Sequence, residues 1–188
     1  MADAQTLARR TPVLAPVAGG RITQVTPLAP AARFVLRIRD AETVPAGLIA
    51  GLDFGGALNT CSGTADRFAA RLGPDEWLVV APEEDGARLR ADLEAGLAGR
   101  FFSLVDVGSR NCGLRVAGPH DRDVLNAGIA LDLTDTAFPA GSATRTLLGK
   151  ADVVLVRASA EESFQVECWR SFAPYVFAFL SEVAQEFD

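Results

Sequence analysis

Along this chain, stretches in which apolar and polar residues alternate with a period of two give way to stretches with a helical period, and the order of the two kinds recurs. Strands are read at Ile22–Thr26 and Phe34–Arg39, followed by a short helix around Val44–Gly51. Strands at Arg67–Leu72 and Trp77–Val80 follow, joined by the turn Gly73-Pro74-Asp75-Glu76, and a helix over Asp85–Leu97 closes this half. The second half carries strands at Phe102–Val107 and Cys112–Ala117 and a helix that opens at Pro119 and ends near Gly128. Strands at Thr144–Leu148, Val153–Arg157 and Phe164–Cys168 then lead to a final helix running from Pro174, capped by Ser171, toward Phe187.

Two segments align element for element: RFAARLGPDEWLVVAPEEDGARLRADLEAGL and VVLVRASAEESFQVECWRSFAPYVFAFLSEV. Each reads as strand, acidic turn, aromatic-bearing strand and helix. Strand pairs followed by crossing helices imply antiparallel or mixed sheets with helices on one face, an α+β fold rather than a doubly wound one. The expected organisation is an N-terminal arm over residues 1–20, a first α+β lobe over 21–100 and a similar lobe over 101–188, each of β-β-α-β-β-α type.

The final helix has more apolar surface than one sheet covers. Phe172, Val176, Phe179, Leu180, Val183 and Phe187 fall in one stripe at helical spacing, while Tyr175 and Phe177 flank it and widen the apolar arc to roughly 200°. Those flanks are expected to lie against the first lobe or against another protein.

Composition narrows the class. With 188 residues and 49% apolar content the chain has material for a core without covalent staples. Cys61, Cys112 and Cys168 are odd in number and lack paired short spacing, so neither a disulfide framework nor a zinc site is indicated, and a reducing cytoplasm is the expected compartment. The start of the chain does not read as a signal peptide, and no apolar run reaches the roughly 20 residues of a membrane span. Net charge is −6 and the arginines are dispersed, which argues against a nucleic-acid partner.

Candidate chemistry is sparse. The one histidine, His120, has Asp123 one turn on and reads either as a general base or as a surface residue in a first turn. No serine or cysteine nucleophile stands in a recognisable arrangement with it, and no G-x-S-x-G elbow occurs, so the surface reading is preferred. The segment GSATRTLLGKA ends in Gly-Lys like a phosphate-binding loop, but Ala151 replaces the magnesium-binding hydroxyl and a strand follows in place of a helix; it reads as a hairpin turn. The double glycines at 19–20 and 55–56 do not build a dinucleotide fingerprint. No catalytic, metal or cofactor-binding set is assigned from spacing.

Four segments, RLGPDEWLVVAP at 71–82, DVGSRNCGLRVAGPHDRDVLNAGIALDL at 106–133, FPAGSATRTLLGKADVVLVR at 138–157 and FQVECWRSFAPYVFAFL at 164–180, resemble the gamma subunit of heterotetrameric sarcosine oxidase. A more distant similarity is to the folate-binding aminomethyltransferase of the glycine cleavage system, whose Asp-Val-Ser-His and Gly-Pro elements are echoed by Asp106-Val107-Gly108-Ser109 and Gly118-Pro119. The transferase has a paired Asp-Asp where this chain has Ala151-Asp152, and Ser-His where it has Gly108-Ser109. The resemblance implies an accessory chain, non-catalytic when alone, in a complex with alpha, beta and delta subunits. That complex is expected to contain FAD, FMN, NAD and zinc, and to convert sarcosine to glycine with hydrogen peroxide, passing the one-carbon unit to tetrahydrofolate. Trp169, Arg170, Tyr175 and Phe177 are the expected partner interface, because Trp, Tyr and Arg are favoured anchors. An alternative is a stand-alone folate-binding or one-carbon-transfer protein, with Asp152 as the candidate folate-site residue.

Overall fold

The computed structural model describes residue 14 and residues 20–39, 47–158 and 163–188. In chain order the strands are β1 (Gln24–Pro27), β2 (Ala31–Ile38), β3 (Leu48–Ile49), β4 (Leu52–Asp53), β5 (Cys61–Gly63), β6 (Phe68–Arg71), β7 (Glu76–Pro82), β8 (Phe102–Asp106), β9 (Asn111–Ala117), β10 (Ser142–Leu148), β11 (Ala151–Arg157) and β12 (Ser163–Trp169). The helices are α1 (Gly86–Gly96), α2 (Asp121–Asn126) and α3 (Ala173–Ala184).

Ten of these strands form two antiparallel five-stranded sheets, ordered β5-β6-β7-β2-β8 and β1-β9-β12-β11-β10. The fold is α+β, as expected. Each sheet takes one strand from the other half of the chain: β1 pairs with β9 in the second sheet, and β8 pairs with β2 in the first. Two strands therefore cross the division expected near residue 100.

Alternation along the strands sorts side chains into three apolar layers. Phe34, Leu36, Ile38, Trp77 and Val79 on the outer face of the first sheet pack with Leu89 and Leu93 of α1. Leu114, Val116, Val153, Leu155, Phe164 and Val166 on the outer face of the second pack with Val124 and Leu125 of α2 and Val176 and Leu180 of α3. The inner faces meet through Phe68, Ala70, Leu78, Val80, Val107, Ala143, Val154 and Val156. Each fully buried Val, Leu, Ile or Phe among them contributes about 1.5–3 kcal/mol of transfer free energy. The result is a helix-sheet-sheet-helix sandwich, and both expected hairpins are present: Leu72 N–H and Gly73 N–H donate to Glu76 O, and Leu148 pairs with Ala151 around Gly149-Lys150.

Two local expectations are corrected. Of the helix expected over Val44–Gly51, residues 44–46 lie outside the described residues, and the rest is a tight hairpin of β3 and β4 turning at Ala50 and Gly51, both at positive φ (53° and 78°). Gly51 supplies a conformation that side chains resist, and Ile49 and Leu52 insert beneath α1. The final helix starts at Ala173 with Phe172 as its N-cap, and no side chain caps it, so Ser171 does not have that role. Its fully buried positions are Ala173, Val176, Leu180 and Ala184; the small alanines bring the helix close to the sheet, and Phe172, Phe177, Phe179, Val183 and Phe187 spread around this seam, partly buried.

Candidate functional site

The inner faces do not stay in contact over their whole length. The cross-strand register puts successive rows on the inner face of the second sheet. Arg145 opposes Val154, which opposes Glu167, which opposes Gly113; one step further Leu147 opposes Asp152, and Trp169 opposes Asn111. On the first sheet the matching row is Glu76, Arg37 and Ser103. Between these rows the sandwich opens into a cleft of about 450 Å³, within the range of small-molecule sites. Its walls include Val35, Leu78 and Val105, and its mouth carries Arg37, Arg110, Arg145, Asp152 and Trp169.

Most of the charge at this mouth is already paired. Arg145 donates to Glu76 Oε1 at 2.6 Å, bridging the sheets, and Arg37 Nη2 donates to both oxygens of Asp75 at 3.1 and 3.0 Å, which raises the Arg37 pKa above its ordinary value. Arg110 Nε donates to Asn111 Oδ1 at 3.1 Å while its guanidinium lies 5.8 Å from the centre of the Trp169 ring. Among the described residues the Asp152 carboxylate has no hydrogen-bond partner, and it is exposed. Glu167 lines the floor of the cleft, paired behind it with the buried Arg33 and accepting a further hydrogen bond from Gln165 Nε2 at 2.7 Å. Among the described residues no cluster of three or more His, Cys, Asp and Glu is placed to hold a metal ion.

The residues singled out from sequence are not gathered in one place. Asp152 and Trp169 share the cleft mouth, because the pairing of Val153 with Cys168 sets them side by side. Arg170 follows β12, and its N–H donates to Arg110 O at 2.8 Å. Tyr175 is on the helix side of the second sheet, its hydroxyl accepting from Lys150 N at 3.4 Å and its ring 6.3 Å from that of Phe179; Phe177 packs partly buried on the core beneath α3. His120, at the start of α2, stacks on Phe187 at 4.6 Å with Nδ1 3.2 Å from Asp123, and it does not line the cleft. Arg37, Arg110 and Arg145 were not singled out from sequence. The available signal was alternation, which puts Arg37 and Arg145 on inward-facing strand positions where apolar side chains are expected.

Large apolar side chains remain exposed around the same mouth: Leu147 at 55%, Val105 at 51% and Trp169 at 45% of their full area. Among the described residues no helix is long and apolar enough to cross a membrane.

Comparison with known proteins gives this architecture a family. The chain superimposes on a chain of the heterotetrameric sarcosine oxidase from Corynebacterium sp. U-96, solved with pyrrole 2-carboxylate, with a TM-score of 0.73 and 25% identity over 92% of this chain and 88% of that one. The glycine cleavage system aminomethyltransferase T from Bartonella henselae has the same fold over 93% of this chain and 46% of its own, with a TM-score of 0.61 and 15% identity. Among curated relatives, sarcosine oxidase subunit gamma from Corynebacterium sp. (strain P-1) is 34% identical and that from Arthrobacter sp. is 33% identical, each over 116 residues. These matches cover 62% of this chain and 56% of each relative, so the chain is matched to little more than half the length of those proteins. The family model described as sarcosine oxidase, gamma subunit family, matches residues 41–186, and the chain belongs to that family.

Proposed function

We propose that this chain is the accessory subunit of a heterotetrameric sarcosine oxidase, held against larger alpha and beta chains and a delta chain. In this reading the other subunits carry FAD, FMN, NAD and zinc. The assembly oxidatively demethylates sarcosine to glycine, produces hydrogen peroxide and delivers the one-carbon unit as 5,10-methylenetetrahydrofolate. The gamma chain contributes surface and not a reacting group. The observation that carries this reading is the exposed apolar rim of Leu147, Val105 and Trp169 around a cleft whose arginines Arg37 and Arg145 are engaged internally. Covering such a rim with a partner returns the transfer free energy that its exposure forgoes, and a tryptophan backed by an arginine is a typical centre of an interface. Arg170 at the adjoining turn belongs to the same surface in this reading, with Tyr175 and Phe177 on its helix side.

The test is reconstitution. Mixed with the alpha, beta and delta chains, the gamma chain is expected to co-elute as one assembly, and Trp169→Ala with Leu147→Ser is expected to weaken that association by about tenfold or more. Failure of the unmodified chain to associate would defeat the proposal.

The place of Asp152 favours one second reading, a folate-binding or one-carbon-transfer protein. The exposed carboxylate stands beside Trp169 at a cleft of suitable size, and a carboxylate there could stabilise positive charge on a pterin nitrogen. Against it, a ligand carboxylate reaching Arg37 or Arg145 has to displace Asp75 or Glu76. Titration of the isolated chain with tetrahydrofolate separates the two: saturation below millimolar concentration, abolished by Asp152→Ala, supports the second, and no binding leaves the first.

A further inference from the structure

Cys112 and Cys168 are 56 residues apart in the chain and directly opposite one another on β9 and β12, the neighbouring central strands of the second sheet. Their sulfurs are 4.0 Å apart. Directly opposed residues of an antiparallel pair have Cα atoms roughly 4.5 or 5.5 Å apart, and both spacings lie inside the approximately 4.4–6.8 Å that a disulfide spans. Side-chain rotation alone can then bring the sulfurs together, without moving either strand. The two thiols differ in access. Cys112 is half-buried, while Cys168 is 2% exposed within the core between the second sheet and its helices.

From this juxtaposition we propose that Cys112 and Cys168 form a peroxide-oxidisable dithiol, a reversible modification site in which Cys112 is the attacking sulfur and Cys168 the resolving one. The Cys112 thiolate attacks one oxygen of hydrogen peroxide; an S–O bond forms, the O–O bond breaks, and the departing hydroxide takes a proton to become water. The Cys168 sulfur, giving up its proton, then attacks Cys112 sulfur; the S–S bond forms, the S–O bond breaks, and the hydroxyl leaves as a second water. In sum two thiols and one hydrogen peroxide give one disulfide and two waters, with the sulfur pair oxidised by two electrons and the peroxide oxygens reduced.

The local electrostatics suit this division of labour. The contact with Cys168 holds the Cys112 thiol below its ordinary range, against the opposing effects of burial and of the Glu167 carboxylate, and the guanidiniums of Arg33 and Arg170 act in the same direction as Cys168. Cys168 is shifted upward, first by that same contact and then by burial, so it retains its proton until it is used. Cys61 is a built-in control: burial pushes it up to about 11, its S–H points at the carbonyls of Ser142 and Arg157, and no second sulfur accompanies it. A sulfenic acid with a resolving thiol in contact ends as a reversible disulfide instead of advancing to the irreversible sulfinic acid. The register pairs on either side of the dithiol are Gly113 with Glu167 and Asn111 with Trp169, so the bond would clamp the strands that carry the cleft floor and mouth. The proposal is independent of the oxidase reading above, which enters only as one source of peroxide.

The full chain, treated with hydrogen peroxide and digested without reductant, is expected to yield a Cys112–Cys168 cross-linked peptide that thiol reductant releases, with Cys61 still open to alkylation. Before oxidation, Cys112 is expected to alkylate on the order of tenfold or more faster than Cys61 at neutral pH. Cys168→Ser is expected to accumulate a Cys112 sulfenic acid that dimedone traps. Oxidation of Cys61 ahead of Cys112, sulfinic acid at Cys112 beside an intact Cys168, or three unmodified thiols under peroxide that consumes free cysteine would each overturn the proposal. Because added peroxide is the only oxidant, failure here leaves the subunit reading untouched, and failure to reconstitute the oxidase leaves the dithiol untouched.

Discussion

Arg33 and Glu167, 134 positions apart, meet inside the sandwich as a two-pronged pair, Nε to Oε2 at 2.6 Å and Nη2 to Oε1 at 3.0 Å. One comes from β2 of the first sheet and the other from β12 of the second, and the two side chains are 2% and 0% exposed. Burial by itself lowers the Arg33 pKa, but the charge and hydrogen bonds of Glu167 outweigh it and the net direction is upward, so the guanidinium stays charged. Arg33 Nη1 also donates to Ala31 O. Removing one partner therefore strands a buried charge. Glu167→Ala is expected to cost about 3–5 kcal/mol, whereas Arg33→Met with Glu167→Leu together should cost clearly less, about 1–3 kcal/mol, because no charge is stranded and only the Gln165 amide loses its acceptor. Urea denaturation of the two singles and the double measures this, and a Glu167→Ala cost below about 1 kcal/mol would contradict it.

The close approach of this pair depends on Gly113, which opposes Glu167 on β9. A methyl group built on Gly113 would stand 2.6 Å from Glu167 Oε1, 3.0 Å from Leu28 Cδ1 and 3.1 Å from Arg33 Nη2. The pair would have to move aside within a packed interior. Gly113→Ala is expected to destabilise by about 1–3 kcal/mol, and by clearly less in the Arg33→Met, Glu167→Leu background, because there the rigid ion pair is gone. Equal costs in both backgrounds would remove the ion pair as the cause.

Much of this arrangement could be read from residue order and some could not, for a definite reason. The strand pair joined by the acidic turn Gly73–Glu76, the Gly149-Lys150 hairpin and the helix after Glu83–Asp85 follow from local pattern, since alternation and turn chemistry are local, while the second acidic turn, at 159–162, lies outside the described residues. Alternation also assigns each strand residue to a face. It does not say which sheet that face will meet. The exchange of β1 and β8 and the meeting of Arg33 with Glu167 are long-range consequences of topology, and no spacing between them announces the partnership. The same applies to Cys112 and Cys168, which count as unpaired by spacing but are neighbours by register. Glu167 did carry a local signal: in the run Phe164–Cys168 it occupies the alternate positions with Gln165, so one face of a central strand is polar and requires a buried partner.

The two tryptophans report different places. Trp77 is 1% exposed, edge-on to Phe54 beneath α1, and Trp169 is 45% exposed at the cleft mouth. Acrylamide is expected to quench Trp169 emission in the isolated chain and to leave Trp77 largely unaffected, with Trp169→Phe removing the quenchable component. On addition of the larger oxidase chains the quenchable fraction should fall. If it persists in a complex that has demonstrably formed, the cleft mouth is not the docking surface.

Acid should loosen the junction between the end of α3 and the start of β1. Asp188 Oδ1 accepts hydrogen bonds from Arg21 N–H at 2.7 Å and Ile22 N–H at 2.9 Å, with the Arg21 guanidinium 3.6 Å from the other carboxylate oxygen. The backbone bond from Ile22, then that from Arg21, hold the Asp188 pKa below its ordinary value. A carboxylate whose folded pKa is depressed stabilises the fold fully above the unfolded value of roughly 3.9, and loses that contribution as pH falls through the folded one. Asp188→Asn keeps an oxygen acceptor but has no proton to gain. Denaturation of both proteins at a series of pH values should therefore show a constant stability difference above about pH 5 that shrinks as acid is added below about pH 4. A difference that does not change with pH would mean that the carboxylate charge contributes nothing at this junction and that the amide serves it equally well.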